Sequence, residues 1–266
     1  MTTVGIHGIT GQMGDALLGA AADREDVTAV VGIGPDPGAV EAVPTETPAN
    51  TTRALAEHTP DVVLDFSTPA GTATVARAAA ETETPLVVGT TGLDETAEAA
   101  LADASTTVPV LVGANFARGI QALLGALDVA LESLPGYDVE ILETHHRRKQ
   151  DAPSGTAETI LDRVAEHRPV QSVAGREGTR PRGDDEVGVL VRRAGDVRGE
   201  HEVVLADNDE LLCLTHRAED RGVFAAGALD AAVWLDGQQP DRYTFADVLS
   251  TPNGAGGRST AGVSES

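Results

Sequence analysis

Three times within the first 113 residues a short apolar run ends in a turn that carries glycine and gives way to a helix-forming stretch. Val4–His7 leads through Gly8-Ile-Thr-Gly11-Gln-Met-Gly14 to a helix from Asp15 to Asp23. Asp61–Phe66 leads through Ser67–Gly71 to an alanine-rich helix over 72–81, and Pro85–Gly89 leads through Thr90–Gly92 to a helix over 94–104. Val27–Ile33 and Val108–Gly113 read as further strands, and 44–50, rich in proline and threonine, as loop. Apolar strands alternating with helices require right-handed crossovers and a parallel sheet covered on both faces. The expectation is an α/β, Rossmann-like, doubly covered sheet.

From Asn115 the pattern changes. Ile120–Leu134 reads as one long amphipathic helix, Tyr137–Glu143 as a half-buried strand and Thr156–His167 as a helix. Val187–Arg193, Glu200–Ala206 and Glu210–His216 read as strands separated by turns rich in Gly and Asp, which predicts an α+β unit with an open mixed sheet. Gly222–Leu235 is an apolar helix expected to return to the first unit, and 250–266 reads as a disordered tail.

Composition narrows the function classes. The 42 Asp and Glu against 19 Lys and Arg give a formal charge of -23, which repels nucleic acid and anionic lipid. Such acidity in a chain that is 41% hydrophobic reads as adaptation to high internal salt, where the Debye length falls to roughly 3 Å at 1 M. An acidic protein of an ordinary cytoplasm is the other reading. Cys213 is the one cysteine, so neither an intrachain disulfide nor a thiolate metal site is expected, and no metal is called for. No stretch approaches the roughly 18 uninterrupted apolar residues of a spanning helix, and the N-terminus enters a strand at once. A soluble, cytoplasmic protein is expected.

Gly8, Gly11 and Gly14 would let the backbone turn tightly and bring free helix N-terminal amides to a pyrophosphate. Their spacing departs from the usual G-x-G-x-x-G, and a plain strand-to-helix turn has the same look. After the second strand, Val31-Gly-Ile-Gly-Pro-Asp36 offers no clean ribose acceptor and no Arg or Lys for a 2′-phosphate, which leaves NADH or NADPH open with a lean to NADH. Gly89-Thr-Thr-Gly92 and Gly113-Ala-Asn-Phe116 end two further strands, where ligands collect in such sheets.

Lys149, the single lysine, sits in Glu143-Thr-His-His-Arg-Arg-Lys-Gln-Asp-Ala-Pro-Ser-Gly-Thr156. Adjacent histidines at a strand end point to opposite sides, so His145 and His146 need not share a role. Pro153 and Ser154 set up a helix start whose free amides at Gly155 and Thr156 suit a carboxylate. The run suggests an anionic substrate that needs a proton, although a basic cluster can also line a subunit interface.

Glu143-x-His-His-x-x-Lys-x-Asp-Ala-Pro-Ser-Gly-Thr-Ala157 resembles the signature of the dihydrodipicolinate reductase family. The glycine loop ending at Gly14, Gly89–Gly92, Ala114–Phe116, Gly199-Glu-His201 and the stretch from His216 to Ala228 support the resemblance, which covers the chain to about residue 249. It implies reduction of 4-hydroxy-tetrahydrodipicolinate to tetrahydrodipicolinate with NADH or NADPH, with no metal, in a homotetramer built through the second sheet. By the resemblance His145 donates the proton and Lys149 is a second acid that also holds substrate. His146, Gly155 and Thr156 bind the substrate carboxylates. Gly8, Ile9, Thr10, Gly11, Gln12, Met13, Gly89, Thr90, Thr91, Gly113, Ala114, Asn115 and Phe116 line the cofactor. Residues 1–116 with 217–249 then form the dinucleotide-binding domain and 117–216 the substrate-binding and oligomerisation domain. Gln12 stands where many members carry Arg, and the residue pair that reads the ribose is missing. Another nicotinamide-dependent dehydrogenase, or a non-catalytic dinucleotide-sensing regulator, is the alternative.

Overall fold

The computed structural model describes residues 1–36, 38 and 40–250. Its first sheet has seven parallel strands: β1 (Thr2–His7), β2 (Val27–Ile33), β3 (Thr45–Glu46), β4 (Val62–Asp65), β5 (Leu86–Val88), β6 (Val110–Val112) and β12 (Arg242–Thr244), in the spatial order β12-β6-β5-β4-β1-β2-β3. The order reverses direction at β1, which is the switch point where an open α/β sheet forms its ligand crevice. One face is covered by α1 (Gln12–Ala22) and α7 (Gly222–Leu235), which bury Leu17, Ala228 and Leu229 against Val4, Ile6 and Leu64. The other face is covered by α2 (Thr51–His58), α3 (Pro69–Glu81) and α4 (Glu95–Ser105), packed on Val31, Val63 and Leu86.

The parallel register aligns His7 with Asp65, Asp65 with Val88 and Val88 with Val112. Four strands therefore end at one level, and the loops after β1, β4, β5 and β6 share one rim. Asp65, fully buried, ties that rim together. Its Oδ1 lies 2.7 Å from His7 Nδ1 and accepts from Ser67 Oγ at 2.6 Å, while its Oδ2 accepts from Thr72 Oγ1 at 2.5 Å and Thr90 Oγ1 at 2.9 Å.

The second sheet is mixed, with the order β11-β10-β7-β9-β8. Its strands are β7 (Asp138–His145), β8 (Gln171–Val173), β9 (Glu186–Arg193), β10 (Gly199–Asp207) and β11 (Glu210–Ala218). α5 (Arg118–Ser133) and α6 (Gly155–His167) cover one face through Ile120, Leu124, Leu127 and Ile160 packed on Val139, Ile141, Val203 and Leu205.

Residues 44–50 depart from the expected loop: Thr45–Glu46 adds a strand to the sheet edge and Pro48–Asn50 forms a 3-10 turn leading into α2. Two or three polar residues at a sheet edge carry no period, so β3, β8 and β12 left no readable pattern. α2 buries only Thr51, Ala54 and Leu55, too few to show a stripe. Ser250 ends a helix, α8 (Phe245–Ser250), rather than opening a tail; the remaining residues of the expected tail, 251–266, lie outside the described residues. Among the described residues no helix is long and apolar enough to cross a membrane.

Candidate active site

β1 turns into α1 with Gly8 at φ +90, where an added Cβ would meet the Phe66 carbonyl oxygen at 2.3 Å. Gly14 lies so close to the turn after β1 that a Cβ there would meet the Ile9 carbonyl oxygen at 2.3 Å. Gly11 caps α1 without a side-chain hydrogen bond, so the first amides of this helix remain uncapped. These are the three glycine tasks of a dinucleotide turn: tight reversal, backbone approach and close helix packing. The residues present fit a dinucleotide.

The rim of the first sheet faces the end of β7 across a cleft of about 230 Å³. Met13, Gly89, Thr91, Ala114, Asn115 and Phe116 line it from the sheet side, and His145, His146, Lys149, Gly155 and Thr156 from the other. Ile9, Thr10, Gly11 and Gln12 lie in a neighbouring depression with Asp15 and Glu41. Ile9 is buried in the core, so only its backbone faces out. Thr90 turns its hydroxyl inward to Asp65, and Gly8 and Gly113 shape the turns beneath. Asn115 bridges the two sides, its Nδ2 donating to Thr156 Oγ1 at 2.9 Å.

His145, the last residue of β7, sets Nδ1 2.5 Å from Glu143 Oε2, an ion-pair distance short of hydrogen-bond alignment. Glu143 is fully buried, and its other oxygen accepts from Ser154 N at 3.0 Å and Arg193 Nη2 at 2.9 Å. Burial alone would raise the Glu143 carboxyl, but His145 and Arg193 outweigh it and hold the group down at about 2. The anion therefore persists throughout the working pH range and turns the imidazole so that Nε2 is left without a protein partner among the described residues. Gly199 makes room for that edge, since a Cβ there would stand 3.2 Å from His145 Nε2.

Strand pairing explains who meets whom: β9 puts Arg193 opposite His145, and β10 puts His201 opposite Glu143. Burial, then the charge of His145, pushes His201 down to about 3, so it stays neutral beside His145 with ring centroids 5.1 Å apart. Its Nε2 lies 3.2 Å from Ser154 Oγ, the hydroxyl that also caps α6 by accepting from Ala157 N at 3.3 Å. Glu143, His145 and His201 bring donor atoms within 4.8 Å of one another, which is metal-ligand spacing that sequence reading did not anticipate. Here Arg193 already neutralises the carboxylate.

Lys149 Nζ lies 2.7 Å from Asp151 Oδ2, and burial followed by proximity to Arg148, Arg221, His145 and Lys149 lowers His146. α6 starts at Gly155, so its first amides open at the cleft beside the ammonium. A hydride acceptor carrying carboxylates would find here a positive ammonium, a helix N-terminus and a partnered imidazole. Glu143, Arg193, His201, Arg198, Phe66 and Phe224 were not singled out for roles in the sequence. Gly199-Glu-His201 was the only signal toward the β10 contribution.

Residues 2–116 match the family described as "Dihydrodipicolinate reductase, N-terminus" and residues 119–249 that described as "Dihydrodipicolinate reductase, C-terminus". The chain is 56% identical over 250 residues to a protein of Haloarcula marismortui named 4-hydroxy-tetrahydrodipicolinate reductase, covering 94% of this chain and 99% of that one. A protein of the same name from Natronomonas pharaonis is 50% identical, covering 92% and 98%. Among solved structures, a dipicolinate-bound dihydrodipicolinate reductase from Paenisporosarcina sp. TG-14 shares the fold with a TM-score of 0.75 at 23% identity, over 92% of this chain and 97% of that one. An amine dehydrogenase from Mycobacterium smegmatis shares it at a TM-score of 0.63 and 12% identity, over 92% and 95%.

Proposed function

The chain belongs to the dihydrodipicolinate reductase family, and from that premise we infer that it reduces 4-hydroxy-tetrahydrodipicolinate to tetrahydrodipicolinate, a step of diaminopimelate and lysine biosynthesis. One observation carries the reading. The Glu143–His145 pair, Lys149 and the start of α6 face the glycine-loop side across a single cleft.

When bound, the reduced nicotinamide supplies a hydride to the substrate ring. His145, held by Glu143 through Nδ1, delivers a proton from Nε2 to the ring as negative charge develops on it. Lys149 stands as the second acid and, with His146 and the amides of Gly155 and Thr156, binds the substrate carboxylates. An N⁺–H···O⁻ contact in such a site is roughly twice as strong as a neutral one, which favours the charged dicarboxylate over neutral imines. We place the dinucleotide-binding domain at 1–116 with 217–249 and the substrate domain at 117–216.

We propose NADH as the preferred cofactor. The depression beside the glycine turn presents Asp15 and Glu41 and, among the described residues lining it, no Lys or Arg. Arg53 is engaged with Glu46 at 2.8 Å. A 2′-phosphate there would meet carboxylates without a counter-ion. An assay with freshly generated substrate, in low and in molar salt, should give kcat/KM for NADH at least about tenfold above NADPH, the equivalent of about 1.4 kcal/mol. Equal or reversed values would remove the cofactor choice, and no oxidation of either would remove the reaction.

We propose a homotetramer assembled through the second sheet. The face of that sheet turned away from α5 and α6 carries Leu190, Leu211 and Cys213 exposed and Leu142, Val204 and Ala206 half-buried, an apolar patch that water disfavours. Light scattering in molar salt should return four times 27.3 kDa. A monomer mass at micromolar concentration would count against it.

A further inference from the structure

Two guanidinium groups at the cleft lack a counter-ion. Arg198 lines the cleft, and Arg221 precedes α7, whose first turn carries Phe224 into the same lining. Among the described residues neither takes part in an ion pair or a side-chain hydrogen bond, although the chain has 42 carboxylates for 19 Lys and Arg. The nearby carboxylates are turned to other groups, and Asp220 and Asp196 act on Arg221 only through space. Asp151 faces Lys149, Asp196 faces Arg148 at 3.4 Å, Glu143 holds His145 and Arg193, and Asp220 accepts from Gly222 N at 2.8 Å. Burial, then the charges of Arg198 and Arg148, lowers Arg221 against the smaller opposing pull of Asp220 and Asp196, so these cations repel one another.

Arg198 is fixed next to the proton donor by the chain itself. It precedes Gly199, where an added Cβ would stand 3.2 Å from His145 Nε2, and the loop before it is tied to the end of β7 by Ala194 N donating to the His145 carbonyl at 2.9 Å. Of the groups assigned to the substrate carboxylates, Lys149 alone brings a full positive charge, because burial and the neighbouring cations lower His146. A ring carrying carboxylates on both flanks of its nitrogen therefore leaves one negative charge without a counter-charge.

We propose that Arg198, backed by Arg221, is a second carboxylate clamp that binds the substrate carboxylate not held at the start of α6. This rests on the reading of the site as a dicarboxylate reductase and adds to it a residue that sets dicarboxylate over monocarboxylate. A guanidinium fork pairs with a carboxylate through two parallel bonds, which gives orientation as well as charge.

The solved relative with dipicolinate supplies the probe. Binding of dipicolinate and of picolinate, which has one carboxylate fewer, is measured for the parent, Arg198→Gln and Arg198→Lys in the presence of NADH, and NADH affinity is measured separately by fluorescence. Arg198→Gln should weaken dipicolinate by about 10- to 100-fold, as expected for a charged hydrogen-bonded contact. Picolinate and NADH should be nearly unaffected, and Arg198→Lys should recover part of the loss. Arg198 is half-buried and makes no hydrogen bond, so the variant folds. Parent-like dipicolinate binding by Arg198→Gln overturns the clamp alone. A loss of NADH affinity in its place assigns the guanidinium to a cofactor phosphate and also overturns it. A parent enzyme that binds no dipicolinate overturns the reductase reading and the clamp with it.

Discussion

Replacing His145 by alanine lowers kcat by about 10²- to 10⁴-fold, the usual contribution of a positioned general acid, while NADH affinity stays close to that of the parent. The imidazole makes no bond to the glycine-loop side, and its Nδ1 faces Glu143 within the second sheet. Lys149→Ala differs in kind. It removes an ammonium that meets the substrate from its ground state onward, so KM rises as kcat falls, with a combined loss of about 10- to 100-fold from the charged contact alone. Single-turnover rates and NADH fluorescence titrations separate the two. A His145→Ala enzyme turning over within about threefold of the parent, a gap worth under about 1 kcal/mol, would end the assignment of the proton.

Glu143→Gln is the second large effect, and it acts through His145 rather than on the substrate. Glutamine keeps the shape but not the charge, so Arg193 loses its counter-ion and an amide is set against Nδ1. Removing one partner of a buried pair costs about 3 kcal/mol or more, and kcat falls by about 10²-fold or more as the imidazole loses its orienting anion. A residue that positions the acid leaves KM for the substrate nearly unchanged, which a collapsed pocket would not.

The pH dependence gives an independent check. Glu143 is held at about 2 in the folded state against an ordinary 4.5. Its contribution is therefore present above pH 4.5 and is lost as pH falls through about 2. Chemical unfolding from pH 7 to pH 2.5 should show the stability gap between parent and Glu143→Gln narrowing on acidification. A constant gap would mean that the carboxylate is not the origin of the difference.

The glycine turns made the first sheet legible, because at Gly8 and Gly14 the backbone comes so close to its neighbours that a side chain would not fit. The run from Glu143 to Ala157 made the reaction side legible, since the histidines, the lysine and the helix start are contiguous. What stayed hidden depends on pairing across strands. That Arg193 opposes His145, and His201 opposes Glu143, is a matter of register between β7, β9 and β10. Period alone cannot supply that register. Glu143 was visible as a residue and not as an anion aimed at a neighbouring imidazole. α2 and the edge strands were hidden for the opposite reason: each buries too little to leave a pattern.

Asp65 gathers His7, Ser67, Thr72 and Thr90 from three strand ends and the first turn of α3. Anchored from beneath by one carboxylate, the loops at the rim of the first sheet are cross-linked by the fold itself. The entropic toll of organising those loops is met during folding, so a dinucleotide bound as proposed above would meet turns already ordered.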